Sequence, residues 1–228
     1  MMKYVISWIL LLINIILEVS ILNTKSLKSE AKRQLTNRWT LAVCTILVAN
    51  ILTGLLTSNK KLLENNLGYL SISFSLLYLI LGGVITAGKC RFLLNMTLDK
   101  DSAMFTDLFS QFNIFLKTLA LNLLVTLITA LGFIFLIIPG IVIAYMYSQA
   151  FYILVENPEM DVTDCMAASR KLMVGHKWEL FYLHLTFIGW LLVGALTFGI
   201  AYLWINPYFD LTCANYYLSI KSNQGISS

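Results

Sequence analysis

Two histidines, His176 and His184, and one aspartate set deep in an apolar stretch, Asp210, are the residues in this 228-residue chain best suited to chemistry. His184 lies within an apolar block, on a helix with Tyr182, Thr186 and Trp190. In lipid, such an imidazole serves either as a proton relay or as an interhelical hydrogen bond. Asp210 is ionisable and lies one turn past Pro207. Asn122 and Gln149 flank a central hairpin and could face each other across it. Together Asn122, Gln149, His184 and Asp210 form the candidate intramembrane polar site. His176 falls in an interfacial loop and reads as a polar cap or headgroup contact. Glu156 and Arg170 bracket the same region and are expected to pair. An exposed pair of that kind contributes only about 0–1 kcal/mol.

Beyond these residues the chemistry thins out. The sequence holds no HExxH, GxSxG, P-loop or Gly-rich phosphate motif. Its four cysteines, Cys44, Cys90, Cys165 and Cys213, have no metal-ligand spacing and read as small packing residues. No catalytic residue, cofactor or metal ligand is expected, and the chain reads as a non-enzyme. Nothing in it suggests a nucleic-acid partner.

The elements that must position these residues are apolar. Hydrophobic residues make up 58% of the chain and charged residues 12%, against about a quarter charged in a soluble domain. The apolar residues come in continuous blocks close to the roughly 20 needed to cross a bilayer as a helix. A barrel would show short alternating segments instead. Blocks fall at residues 4–22, 40–57, 67–88, 117–138 and 141–155, and 179–220 is long enough for two crossings. Pro139-Gly140 is expected to be the hairpin turn, and 194–199 the turn within the last block. Asn206-Pro207 should kink the final helix.

Between the blocks lie three amphipathic stretches. Residues 26–38 place Leu27, Ala31 and Leu35 on one face, with Ser26 as N-cap and Trp39 at the interface. Residues 101–112 put Met104, Phe105, Leu108, Phe109 and Phe112 on one side, with Asp107 and Gln111 facing away. Residues 161–174 put Val162, Cys165, Met166, Ser169, Leu172 and Met173 on one face. Asp161 caps that stretch, Asp164 and Arg170-Lys171 suit its two ends, and Gly175 stops it. Under this reading thirteen of the 16 Lys and Arg residues fall on one side. Positive-inside bias then puts all three stretches and the C-terminus in the cytoplasm, against anionic lipid.

Residues 29–41 and 168–180 overlay without a gap, Lys32 on Lys171, Arg38 on Lys177 and Trp39 on Trp178. Each is followed by a membrane hairpin. The expected fold is therefore all-α and polytopic, a six-span core of three amphipathic-helix-plus-hairpin units with one extra N-terminal span. The domains are 1–25 (N-terminal span), 26–221 (six-span membrane domain) and 222–228 (polar tail).

The opening SLKSEAKRQL followed by Trp39, and the runs PGIVIAYMYSQAFYILVENP and AASRKLMVGHKWELFYLHLTFIGWLLVGALTFGIAYLWINPY, resemble an uncharacterised family of bacterial multi-pass membrane proteins. That family is the domain of unknown function numbered 975, distantly similar to the membrane domain of some glycerophosphodiester phosphodiesterases. The resemblance covers about residues 26–220. It implies a six-span core and supplies no established activity, ligand or catalytic residue. The span at 4–22 departs from the family pattern, in which the basic helix comes first.

The functional expectation is a multi-pass protein of the bacterial cell membrane that acts by interaction, as an accessory subunit or an envelope-protection, peptide-immunity-like protein. Its partners would be the bilayer, anionic lipid at the cytoplasmic face, and a membrane protein or a second copy of the chain. The alternative is a small transporter, which requires Asp210, His184 and Asn122 to line one cavity. A lipid-acting enzyme would need two convergent titratable groups, for which Glu156, Arg170 and His176 are the available cluster.

Overall fold

The computed structural model describes residues 21, 23–57, 68–99 and 101–224. Apart from Ile21, the span expected at 4–22 lies outside them, as do the loop at 58–66 and residues 225–228 of the tail. The described residues are helical throughout, without a strand. In chain order the helices are α1 (Asn23–Leu35), α2 (Trp39–Thr57), α3 (Gly68–Leu98), a 3-10 helix (Phe105–Ile114), α4 (Phe115–Phe135), α5 (Ile137–Met146), α6 (Ala150–Glu156), α7 (Val162–Leu172), α8 (Lys177–Leu185), α9 (Ile188–Leu196) and α10 (Tyr202–Asn223).

Four runs are long and apolar enough to cross a membrane: Leu79–Leu98, Phe105–Phe135, Ile137–Glu156 and Lys177–Leu196. The pair Asn23–Leu35 and Trp39–Gly54, bent by 104°, makes a fifth if it counts as one span. Six spans are thus expected and four or five are found among the described residues. α10 falls outside the set because Asn206, Asp210, Asn215 and Lys221 punctuate it. The α4–α5 hairpin carries apolar side chains outward: Leu116, Leu127, Leu131 and the whole stretch from Phe133 to Ile138 are exposed. In water such a surface would be far larger than a soluble monomer tolerates; in lipid it is the contact face.

The spans share one close-packed core with α1 and α7. α1 turns Leu27, Ala31 and Leu35 into it, and α7 turns in Cys165, Met166, Ser169 and Leu172, followed by Met173. The apolar faces of both stretches are those expected from their spacing, and both pack on protein. Asp161 stands at the N-cap of α7 in extended backbone, though its side chain makes no capping bond. Gly175, at φ +80°, follows α7, a left-handed conformation that suits glycine. Asn37, at φ 68°, plays the same part between α1 and Trp39. The two aligned units therefore share a left-handed residue just before the Trp-bearing helix.

Four local expectations need correction. Ser26 does not cap α1, because the helix begins earlier and Ser26 accepts from Ser29 inside it. The hairpin turn is Leu136, extended at φ −165° and ψ 152°, and Pro139-Gly140 belong to the first turn of α5. Proline there forfeits no helical bond, since the first four amides of a helix have no partner within it. Gly140 instead lets the arms close up: a Cβ on Gly132 would lie 3.1 Å from the Gly140 Cα. In the 3-10 helix Asp107 and Gln111 point inward, while Phe105, Phe109 and Phe112 are exposed. The Asp107 carboxylate accepts from the Met104 amide at 2.9 Å and from Asn95 Nδ2 at 3.0 Å. A carboxylate that caps its own helix and ties it to α3 has reason to be inside. Finally, α3 does not stop at Gly88 but continues to Leu98, because Phe92, Leu93, Leu94 and Met96 extend its buried face.

Candidate functional site

α10 organises the polar groups. Asp210, Cys213, Tyr217 and Lys221 lie at i, i+3, i+7 and i+11, on one stripe of the helix. Each meets a different or adjoining element. Lys89 Nζ of α3 donates to both carboxylate oxygens of Asp210, at 3.3 and 3.2 Å. His184 of α8 approaches Cys213 Sγ at 3.8 Å through Nε2, and its Nδ1 meets the Tyr145 hydroxyl of α5 at 3.0 Å. Glu156 at the end of α6 accepts from Lys221 Nζ at 2.7 Å and from the Tyr217 hydroxyl. Tyr217 also stacks on Tyr152, with ring centroids 5.0 Å apart.

The neighbouring face of α10 is used as fully. Asn215 and Gln34 of α1 exchange two amide hydrogen bonds, at 2.8 and 3.1 Å, both side chains buried. Tyr216 donates to the His176 carbonyl at 2.7 Å, and His176 Nδ1 faces Glu179 Oε2 at 3.2 Å. In an apolar interior an unpaired polar group is costly, so reciprocal closure of this kind fixes both register and neighbours. α10 thus bolts α1, α3, α6 and α8 together.

The structure separates the residues expected to form one site. Asp210 is paired to Lys89. Asn122 donates to the Leu79 carbonyl at 3.3 Å, tying α4 to α3. Gln149 is buried beside Ser148, to whose Oγ its Nε2 donates at 2.9 Å, and its Oε1 has no hydrogen-bond partner. No hydrogen bond joins Asn122 to Gln149. Glu156 pairs with Lys221 rather than with Arg170, which is exposed. His184 lines a cavity of about 430 Å³ with Tyr145, Phe181, Phe187, Leu191 and Phe209, and the other three expected residues do not line it.

Lys89, Gln34, Tyr145 and Tyr217 escape a reading of residues one at a time. Lys89 directly follows the apolar block at 67–88, and Lys-Cys-Arg looks like a span boundary. The signal against this was the apolar run that resumes at Phe92. Outside the spans, Cys165 is wholly buried under α7, and burial pushes its thiol up to about 11. Among the described residues no group of three His, Cys, Asp or Glu side chains is placed to hold a metal ion.

The first family comparison comes from residues 128–224, which match the family described as Protein of unknown function (DUF975). The matched stretch runs from within α4 to the end of α10, and so contains the α5–α6 arm, α7, the α8–α9 pass and α10, while Gln34 and Lys89 lie outside it. No curated protein and no solved structure matches the chain.

Proposed function

We propose that the chain is a multi-pass cell-membrane protein that works without catalysis, as an interaction partner or accessory component in the membrane. The observation that carries this reading is the closure of α10: Asp210, Asn215, Tyr216, Tyr217 and Lys221 all end on protein groups. A site that takes up a solute keeps convergent polar groups open to it, commonly around broken helices near the midplane. Here the groups serve cohesion, and what is left for partners is the broad apolar face of the α4–α5 hairpin and the α8–α9 pass. The orientation that goes with this reading has α7 and the C-terminus in the cytoplasm, from the Lys and Arg bias.

A small transporter is the second reading, favoured by the ion pair Lys89–Asp210 between two helices. It requires Asp210, His184 and Asn122 to share a cavity, and of these only His184 lines the 430 Å³ one. Native mass spectrometry of the protein released gently from its own membrane separates the two. A stoichiometric protein partner supports the interaction reading. A lone chain carrying one polar solute, lost on Asp210→Asn, overturns it.

A further inference from the structure

Two cavities adjoin at Ile205 on α10. The smaller, of about 300 Å³, is lined by Lys32, Trp39, Trp190, Trp204, Ile205 and Tyr208. The larger is the 430 Å³ apolar cavity that Phe187, Ile188, Leu191 and Phe209 line, and it includes Ile205 as well. We propose that they form one site for an anionic phospholipid, with the phosphate headgroup against Lys32 and one acyl chain in the larger cavity.

Three arguments support this. Trp and Tyr rings gather where bilayer meets water, and here three indoles and a phenol ring one cavity. Next, the charge selects among headgroups. Indole faces alone would also take a quaternary ammonium, but Lys32 on the rim repels a cation and attracts a phosphate. Among the described residues the Lys32 ammonium makes no ion pair or hydrogen bond, so it is available. One turn away, Lys28 is held over the Phe187 ring at 4.1 Å and donates to the Thr186 carbonyl at 3.3 Å. A second positive charge therefore stands beside the larger cavity as well. Last, the larger cavity is the right continuation for a chain: its lining is aromatic and aliphatic apart from Tyr145, His184 and Asn206.

The inference rests on membrane placement, and not on the interaction role. The test uses the full chain in nanodiscs holding equal phosphatidylglycerol and phosphatidylcholine with identical acyl chains, released and weighed by native mass spectrometry. Phosphatidylglycerol adducts should dominate, and Lys32→Gln should cut their excess about five-fold, the worth of one lysine near a charged headgroup. Leu191→Trp should fill the larger cavity and abolish retention of both lipids. Lys32 is exposed, so its variant should melt with the parent, and Leu191, half exposed toward lipid, tolerates a larger ring. Equal retention of the two lipids, or an excess unmoved by Lys32→Gln, overturns the headgroup assignment. Retention that survives Leu191→Trp overturns the chain assignment. A chain that fails to enter nanodiscs would instead refute the membrane reading beneath it.

Discussion

Lys89 on α3 and Asp210 on α10 meet at 3.2 Å, each with most of its side chain withdrawn from solvent. Charges carried into an apolar bundle are tolerated when each neutralises the other, and leaving one behind is the costly event. The pair is not wholly buried, so the loss lies between the ~1 kcal/mol of exposed pairs and the ~3–5 kcal/mol of buried ones. Asp210→Asn or Lys89→Met alone should each cost about 2 kcal/mol. The double variant should recover much of that, since it strands no charge. A double-mutant cycle on thermal melts in detergent measures the coupling. Additive losses would mean that the two side chains do not act as a pair.

Gly88 lies so close to the 3-10 helix that a Cβ there would sit 1.9 Å from the Leu108 carbonyl oxygen. Gly83 is in the same position against the Thr118 carbonyl, at 2.5 Å. The obstacles are backbone atoms, which cannot rotate aside, and small residues are what allow membrane helices to approach this far. Gly88→Ala should therefore lose about 1–3 kcal/mol or more, lowering Tm by about 2–4 °C per kcal/mol at this chain length. Gly189→Ala is the control, for nothing lies within 4 Å of its Cβ position. It should be neutral or slightly stabilising, as Ala is the better helix former. A drop of equal size at both positions would rule out close packing as the cause.

Sequence periodicity located the helices well where one face is buried against protein. Val162, Cys165, Met166, Ser169, Leu172 and Met173 were legible as a stripe because their spacing is that of a helix on a core. It failed where burial is driven by partners remote in sequence. Asp107 reads as solvent-facing on its own helix, and nothing local reveals that Asn95 waits for it. Gln34 and Asn215 lie 181 residues apart, beyond any local pattern. Pro139-Gly140 was misplaced as the turn for a physical reason: proline is equally at home in a turn and in the first turn of a helix. The expected site dispersed because an intramembrane polar residue advertises a partner without naming it.

Cys165 offers a pH test outside the spans. Burial pushes its thiol up to about 11, against an ordinary thiol value of 9.0. A group whose folded pKa is raised favours folding below the unfolded value, and that advantage is lost as pH rises toward the folded one. The parent should thus lose stability between about pH 9 and pH 11 relative to Cys165→Ala, which has no proton to lose. Unfolding midpoints in denaturant at pH 8 and pH 10.5 measure it. In a variant keeping only this cysteine, iodoacetamide should label the thiol at pH 8 only once denaturant is added. Fast labelling of the folded chain would place Cys165 at the surface.

Gln224, just past α10, donates from Nε2 to the Leu172 carbonyl at the end of α7, 3.1 Å away. The two helices consequently share a side of the membrane whichever way the chain inserts. Under the proposed orientation, which follows the Lys and Arg bias, that side is the cytoplasm. A green fluorescent reporter attached after Ser228 should fluoresce. Ala167→Cys, exposed on α7, in a background with the four native cysteines replaced by serine, should react with an impermeant maleimide only after cells are permeabilised. If both probes report the outside, the orientation is inverted and the packing of α7 on α10 survives. If they report opposite sides, the Gln224–Leu172 contact does not exist in the membrane, and the base of the bundle must be rebuilt without it.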